Sequence, residues 1–388
     1  MEIKKKKFII YLITAFLGGC LVTGGAAALV YNGALGYVRV DADDYKTLTD
    51  TYERYGKAEQ LYRTLEENYY QETNEEDIMT GLYKGMVSGL GDPYSSYMTE
   101  DEYASWKASA TGEYSGVGIT FSQDDEGNFT VVSVEEGAPA DEGGLKAGDI
   151  IKKVNGREYD DMEVMANAMR GEEGTDVEVT YSRDGRERTV TLTREKIEQT
   201  SVAWEMLNDD TGYIKISSFI SGTADEFHEA LEAVEKKGAD SLVLDLRDNG
   251  GGLVDACVEI ADEFLDEGTV TYLEDRNGER IDYNAEDGRT DLKTVVLVNE
   301  NSASASEILA AALQDNGTAL VGETTYGKGV VQSTVELDDG TALKLTIMQY
   351  FSPKGRTINE KGITPDYEVK AGGEGEEDSQ LEKALSLL

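Results

Sequence analysis

The chain has one histidine, His228, in 388 residues. Imidazole is the usual base beside a serine or cysteine nucleophile and a common metal ligand. A single copy excludes sites built on two or three histidines. His228 lies between Phe227 and Glu229 on the polar flank of an amphipathic pattern, where a solvated surface side chain is expected. Cysteine is nearly as scarce. Cys20 and Cys257 make no disulfide framework and fit no metal-ligand spacing, so neither a metal nor another cofactor is expected. Basic residues are outnumbered, 36 against 77 acidic, for a net charge of −41. Such a surface repels phosphate backbones, which argues against a nucleic-acid partner; mainly it keeps the protein solvated.

Length and a 39% hydrophobic content give room for two or three domains with a sizeable core. The N-terminus stands apart. Lys4 to Lys7 form a positive cluster, and an uncharged run follows from Phe8 to Asn32. That run is long enough to cross ~30 Å of hydrocarbon at ~1.5 Å per residue. The lysines should stay in the cytoplasm, which makes the chain a single-pass cell-membrane protein with its body outside. A cleaved signal peptide is the rival, because Ala26-Ala27-Ala28 offers a small-residue site. Leu17-Gly18-Gly19-Cys20 loosely resembles a lipoprotein box, but the apolar run continues for about ten residues beyond it. An uncleaved anchor is favoured, and all three readings export the rest.

Composition then divides the chain into five parts: a membrane segment (1–34), a helical region (35–111), a strand-rich domain (112–198), an α/β core (199–370) and an acidic linker with a final helix (371–388). Residues 42–110 read as helical, with a stop at Gly89-Leu90-Gly91-Asp92-Pro93-Tyr94. This arm suits packing or homodimerisation better than chemistry. In 112–198, strands are expected at 117–121, 129–134, 150–154, 177–182 and 188–193, with turns at Asn155-Gly156 and Asp184-Gly185. One helix, Met162–Met169, interrupts them. A small, partly open barrel fits. In 199–370, strands and helices alternate: strands at 212–216, 242–246, 294–298, 319–321 and 343–350, helices at 223–237, 254–265 and 305–315. That is a layered βαβ-type core.

Chemistry concentrates near the end of that core. Ser302, Ser304 and Ser306 lie between a buried strand and an alanine-rich helix, where backbone N–H groups of the helix N-terminus can meet a developing oxyanion. The plainer reading is a helix cap, with Ser302 or Ser304 at the N-cap and Glu307 completing a capping box. Lys328 favours catalysis. With imidazole nearly absent, an amine on a glycine-flanked loop is the substitute base, and Ser-Lys pairs are a known variant of triad logic. Neutralising a free lysine of pKa ~10.4 at neutral pH costs about 4–5 kcal/mol. Drying it between Gly327, Gly329 and Val330-Val331 would lower that cost. Gln332 is four residues on, an even offset along a strand, so it faces the same way as Lys328. Its carbonyl can accept a hydrogen bond from the amine without adding charge. A second cluster, Asp245-Leu246-Arg247-Asp248-Asn249-Gly250-Gly251-Gly252, lets backbone approach a substrate or simply makes a tight turn.

Two resemblances emerge. Gly137-Ala138-Pro139-Ala140, Gly144-Leu145-Lys146-Ala147-Gly148-Asp149-Ile150-Ile151 and Val154-Asn155-Gly156 resemble a PDZ domain of the bacterial protease type. That segment, with Gly89-Leu-Gly-Asp-Pro-Tyr-Ser, the 245–252 cluster, Ser302-Ala-Ser-Ala-Ser-Glu and Gly327-Lys-Gly-Val-Val-Gln, resembles the carboxy-terminal processing peptidases, over roughly 45–370. The resemblance implies a helical arm, an inserted PDZ domain and an α/β peptidase core. It implies that Ser304 is the nucleophile, Lys328 the base and Gln332 the orienting residue. It further implies an oxyanion hole from the N–H of Ala305 and a glycine of the 250–252 turn. Gly250 stands where the family commonly has proline, so Gly251 is named first and Gly252 second.

A PDZ domain captures a free C-terminus by adding it as a strand. Gly116-Val117-Gly118-Ile119 is placed as the carboxylate loop. Met162, Met165 and Met169 form the other wall, adaptable to varied apolar tails. Arg170 follows and is read either as solvated or as a gate sensing an occupied groove. Substrates are then polypeptides with free C-termini, brought by a docking adaptor where one exists. Two rival readings fit the residues less well. Gly322 to Gly329 nearly spells a P-loop, but Gly329 stands where Ser or Thr must hold Mg²⁺, and a strand pattern follows. A non-catalytic PDZ adaptor would lack the serine or the lysine.

Overall fold

A computed structural model describes residues 5–31, 40–124, 127–286, 288–373 and 377–388. Lys4, Asn32 and the middle of the acidic tail lie outside them. The chain divides into two units, Met1–Leu82 and Tyr83–Leu388.

In the first unit, Lys5–Tyr31 is one helix, and its stretch Lys7–Ala28 has a mean hydropathy of 1.9 with none of it buried. At ~1.5 Å per residue its 22 residues span about 33 Å, enough to cross a bilayer. The helix Ala42–Asn68 opens on Asp41, whose carboxylate accepts from the N–H of Asp43, and none of its residues is buried.

The second unit starts within the helix Glu75–Ser88, which stops as expected before the Gly89–Tyr94 turn, but the helical region beyond it holds a strand that was not expected. The turn at Gly91-Asp92-Pro93 ends the helix, and Ser96–Met98 is a strand paired antiparallel with Ala342–Phe351. Helix resumes at Glu100–Thr111, where Thr99 and Glu102 form a reciprocal capping box.

The domain that follows is a five-stranded antiparallel sheet: Ile119–Gln123, Phe129–Val134, Ile150–Val154, Asp176–Arg183 and Arg186–Thr193, in that order. The last two meet through Asp184-Gly185, both at positive φ (53° and 72°), as a two-residue hairpin of this twist requires. The expected strand 117–121 is split: one strand, Glu113–Gly116, ends before Val117 and the next begins at Ile119. Glu113–Gly116 pairs with Glu195–Glu198 and closes the domain at its two chain crossings.

The core is a six-stranded sheet in the order Tyr367–Glu368, Ala319–Gly322, Lys293–Val298, Ser241–Asp245, Thr211–Ile216, Val202–Met206. Its pairings are parallel except at Val202–Met206, an edge strand that the sequence pattern did not reveal. A second sheet is built on Ala342–Phe351, which pairs with Val330–Glu336, Ser96–Met98 and Gly268–Asp275. Gly268–Asp275 and Arg280–Ala285 form a further hairpin missed in the sequence. The helix Ala305–Asp315 is buried in one apolar cluster with Ile214, Leu242, Val296 and Leu320 of the six-stranded sheet and Tyr350 of the second, and Ala310, Ala311 and Ala312 are fully inaccessible. Small side chains let it approach the sheet closely. The last helix, Ser379–Leu385, docks through Leu381 and Ala384 onto Val243, Val295 and Leu297.

Candidate active site

Three adjacent parallel strands deliver the site. Ala319–Gly322, Lys293–Val298 and Ser241–Asp245 run the same way, so the loops after them leave from one sheet edge. Open parallel sheets gather ligands at the carboxyl ends of their strands. Here that edge brings together the lysine loop, the serine loop and the glycine loop.

The three serines have different fates. Ser302 and Ser306 are fully buried. The Ser302 hydroxyl donates to the Leu246 carbonyl at 2.8 Å and accepts from the Asn299 N–H at 3.0 Å; that of Ser306 donates to the Asn249 carbonyl at 2.9 Å. They staple the serine loop to the glycine loop. Ser304 is partly exposed; its hydroxyl bonds to no other loop and faces only the Glu307 N–H, in a capping box with that residue. It sits at φ 57°, ψ −116°, at the N-cap of Ala305–Asp315. A non-glycine residue there costs of order 1–3 kcal/mol, strain that clusters at functional sites. Its own N–H donates to Glu307 Oε2 at 2.9 Å. The N–H of Ala305 has no acceptor among the described residues.

The glycine loop presses against this elbow. A Cβ on Gly251, at φ 97°, would lie 2.6 Å from the Ala303 carbonyl, 2.7 Å from Ser304 Cβ and 2.9 Å from the Ala305 N–H, so only glycine fits. The same closeness does not make Gly251 a free donor, contrary to its placing as first oxyanion glycine. Its N–H donates to Asn249 Oδ1 at 2.8 Å, and Asn249 is held in turn by the Ile216 carbonyl. The Gly252 N–H has no acceptor among the described residues. Its neighbours explain why: the Phe219 N–H donates to the Gly251 carbonyl and the Leu253 N–H to the Phe219 carbonyl, leaving Gly252 facing away from the bridge.

Glu307 ties the serine loop to the lysine loop. Its fully buried carboxylate accepts from the Ser304 N–H, Thr325 Oγ1 at 2.6 Å, the Gly327 N–H at 2.7 Å and the Lys328 N–H at 2.8 Å. Tyr350, also buried, places its hydroxyl within hydrogen-bond reach of the Ser304 and Lys328 carbonyls. Burial, and next the Glu307 carboxylate, hold the Tyr350 phenol well above its ordinary range.

Lys328 is depressed below the usual lysine value. Burial is the largest cause and the Lys344 ammonium adds to it, while Asp92 and Glu307 pull the other way. Among the described residues its ammonium has no hydrogen bond or ion pair, and it lies 4.9 Å from the centroid of the Tyr94 ring. The structure does not join Lys328 to Ser304 or to Gln332 by a hydrogen bond. The Gln332 amide donates to Thr346 Oγ1 at 3.1 Å. Sequence reasoning treated Asp92-Pro93-Tyr94-Ser95 as helix punctuation and missed its reach. Asp92 accepts from the Tyr94 N–H and from Ser95 Oγ, and Ser95 Oγ accepts from the Thr346 N–H. Burial opposes the ionised form of Asp92, but these hydrogen bonds outweigh it and its carboxyl sits below the ordinary range.

A separate groove of about 240 Å³ lies between the strand Ile119–Gln123 and the helix Met162–Met169. Gly116, Val117, Gly118, Ile119, Met162, Met169 and Arg170 line it, as placed from the sequence. Met165 does not. It is fully buried in the domain's own core with Val154, Val177 and the inner part of Met169, on the core-side flank of the stripe that carries 162 and 169. The Arg170 guanidinium lies over the Tyr114 ring at 5.3 Å.

Three family profiles match in succession: the activating protease CtpB N-terminal domain over residues 31–102, the PDZ domain over 115–193 and peptidase family S41 over 210–369. The chain is 36% identical over 380 residues to the carboxy-terminal processing protease CtpA of Bacillus subtilis, covering 96% of this chain and 78% of that one. It belongs to the carboxy-terminal processing peptidases of family S41. The resemblance first read from the motifs is therefore correct, and the protein is a serine-type peptidase with a PDZ domain. It is also 34% identical over 378 residues to a probable CtpA-like serine protease of Staphylococcus saprophyticus, covering 95% of this chain and 74% of that one. An S41 protease structure from Bacteroides fragilis shares the fold at 16% identity, with a TM-score of 0.51 over 82% of this chain and 90% of that one.

Proposed function

We propose that this S41 peptidase is a membrane-tethered endopeptidase, working outside the cytoplasm, that cuts polypeptides recognised by their free C-termini. Ser304 is the nucleophile, Lys328 the general base and Gln332 the residue that aims the lysine. The observation that carries this reading is the contrast within the serine run. Ser304 alone keeps an accessible hydroxyl that is not bonded to another loop, on a strained elbow at a helix N-terminus, and Glu307 binds that elbow to the backbone of the lysine loop.

Neutral Lys328 removes the proton from Ser304 Oγ as the oxygen attacks the scissile carbonyl. The developing oxyanion takes N–H groups from Ala305 and Gly252, which have no acceptors among the described residues. The lysine ammonium then protonates the departing amine, and water, deprotonated by the same lysine, hydrolyses the acyl-enzyme. Gln332 is anchored through its NH₂ to Thr346, which leaves its carbonyl to receive the lysine amine. In the PDZ groove the substrate tail adds beside Ile119–Gln123, its carboxylate at Gly116–Gly118, its apolar side chain against Met162 and Met169. Arg170 leaves the Tyr114 ring when the groove fills and reports occupancy to the core. The helical arm pairs two copies, and a docking adaptor brings substrate.

The test is cleavage of an unfolded reporter ending in a free apolar residue. Ser304→Ala and Lys328→Ala should each fall to background with unchanged circular dichroism, and the amidated reporter should be cut more slowly. An active Ser304→Ala beside a dead Ser302→Ala would overturn the assignment, and equal rates on free and amidated reporters would remove tail recognition. Protease added to wall-stripped cells should degrade the body; protection until lysis would refute the topology.

A further inference from the structure

The lysine base has a neighbour to which the mechanism above gives no role. Tyr94 and Lys328 are 234 positions apart, yet the ammonium lies 4.9 Å from the ring centroid. An ammonium within about 6 Å of an aromatic face is attracted by its quadrupole, and more strongly when the site is dry. Lys328 is half-buried and, among the described residues, its ammonium has no hydrogen-bond or ion-pair partner.

The ring is not there by accident of a loose loop. Asp92 holds the turn through the Tyr94 N–H at 3.1 Å and Ser95 Oγ at 2.5 Å. Ser95 Oγ accepts from the Thr346 N–H at 3.0 Å, and Thr346 Oγ1 accepts from Gln332. The Tyr94 turn is thus pinned to the strand pair that carries Gln332 and begins two residues after Lys328.

We propose that Tyr94 is a positioning residue for Lys328: its ring holds the lysine ammonium between turnovers and so sets the pH at which the lysine is released to serve Ser304. The ring attracts the charged amine and has little hold on the neutral one, so losing the proton and leaving the ring are one event. This rests on Lys328 being the base. The other groups facing the amine are Lys344 on the neighbouring strand, Asp92 on the Tyr94 turn and Glu307 on the elbow helix, with Tyr326 beside Tyr94.

The sign follows. The ring favours the ammonium, so weakening it lowers the pH at which Lys328 becomes neutral. Activity that needs neutral lysine then rises at lower pH. The experiment places phenylalanine and its mono-, di- and trifluoro analogues at position 94, which keep the shape while draining charge from the ring face. The kcat/KM profile is read on a short peptide. Tyr94→Phe should keep the wild-type midpoint. Successive fluorination should move it acidward, and Tyr94→Leu should move it by about half to one and a half pH units. A midpoint that stays still across the series, or one that Phe moves as far as Leu, overturns the proposal. If Lys328→Ala is inactive while the midpoint stays still, only the Tyr94 role fails; if Lys328→Ala remains active, the base assignment itself fails.

Discussion

The PDZ groove and the catalytic centre are organised in opposite ways. The groove is made by one continuous segment, with its own sheet, its own apolar cluster and a helix whose Met162 lines the groove, whose Met165 enters the core and whose Met169 does both. The catalytic centre has no segment of its own. Its proposed members, Ser304, Lys328, Gly252 and the Tyr94 turn, come from four stretches of chain, joined by the buried Asn249, Glu307 and Tyr350 and the half-buried Asp92. A groove resting on apolar packing should tolerate graded change. A centre resting on a few charged and hydrogen-bonded ties should fail abruptly when one is cut.

Glu307→Gln is the sharpest break. It keeps the shape but turns one acceptor oxygen into an NH₂ facing backbone donors. Charge-assisted hydrogen bonds contribute roughly 1.5–3 kcal/mol each, so a stability loss of about 2–4 kcal/mol is expected, with kcat reduced at least ~100-fold as elbow and lysine loop drift apart. Urea unfolding and single-turnover cleavage measure the two. Near-native turnover would mean that the four contacts are incidental.

The two methionines of one helix test the groove. Met165→Ala removes a buried side chain and should cost about 2–4 kcal/mol of PDZ stability. Met162→Ala, at the exposed groove wall, should leave stability within ~0.5 kcal/mol and raise KM for tailed substrates about 3–10-fold. Neither should slow cleavage of a short peptide that reaches Ser304 without the groove. If Met162→Ala lowers kcat on that peptide, groove and centre are not separable as argued.

The same contrast explains what the sequence disclosed. Met162–Met169 and Ala305–Asp315 were expected at both observed ends, because their start and stop signals lie within a few residues. Tertiary pairing is less visible. Ser96–Met98 was absorbed into a helical run because its partner is more than 240 positions away. Spacing alone left three serines as candidates; burial separates Ser304 from Ser302 and Ser306. Glu307 read as a helix cap, and its further partners at 325, 327 and 328 leave no periodic trace. Gly251 and Gly252 look alike in the chain, and only the Asn249 side chain distinguishes their N–H groups.

The smallest effect expected belongs to the chain's single histidine. His228 is exposed, with Nδ1 2.7 Å from Glu263 Oε1 and Nε2 3.6 Å from Glu232. The hydrogen bond to Glu263, then its charge, raise the imidazole above its ordinary value, and slight burial opposes them. A raised folded-state pKa means stability fully present below the unfolded value of ~6.5 and lost as pH climbs through the folded one. For so exposed a pair, solvent screening limits that contribution to about 0.5 kcal/mol or less. His228→Ala should therefore lower stability slightly at pH ~5.5 and leave it unchanged at pH ~8.5. Cleavage should be unaffected at both. The wild-type rate should show no step near pH ~6.5 and should rise only through the depressed range of Lys328, below the ordinary ~10.4. A tenfold rate loss in His228→Ala would put imidazole back into the chemistry and remove the lysine base.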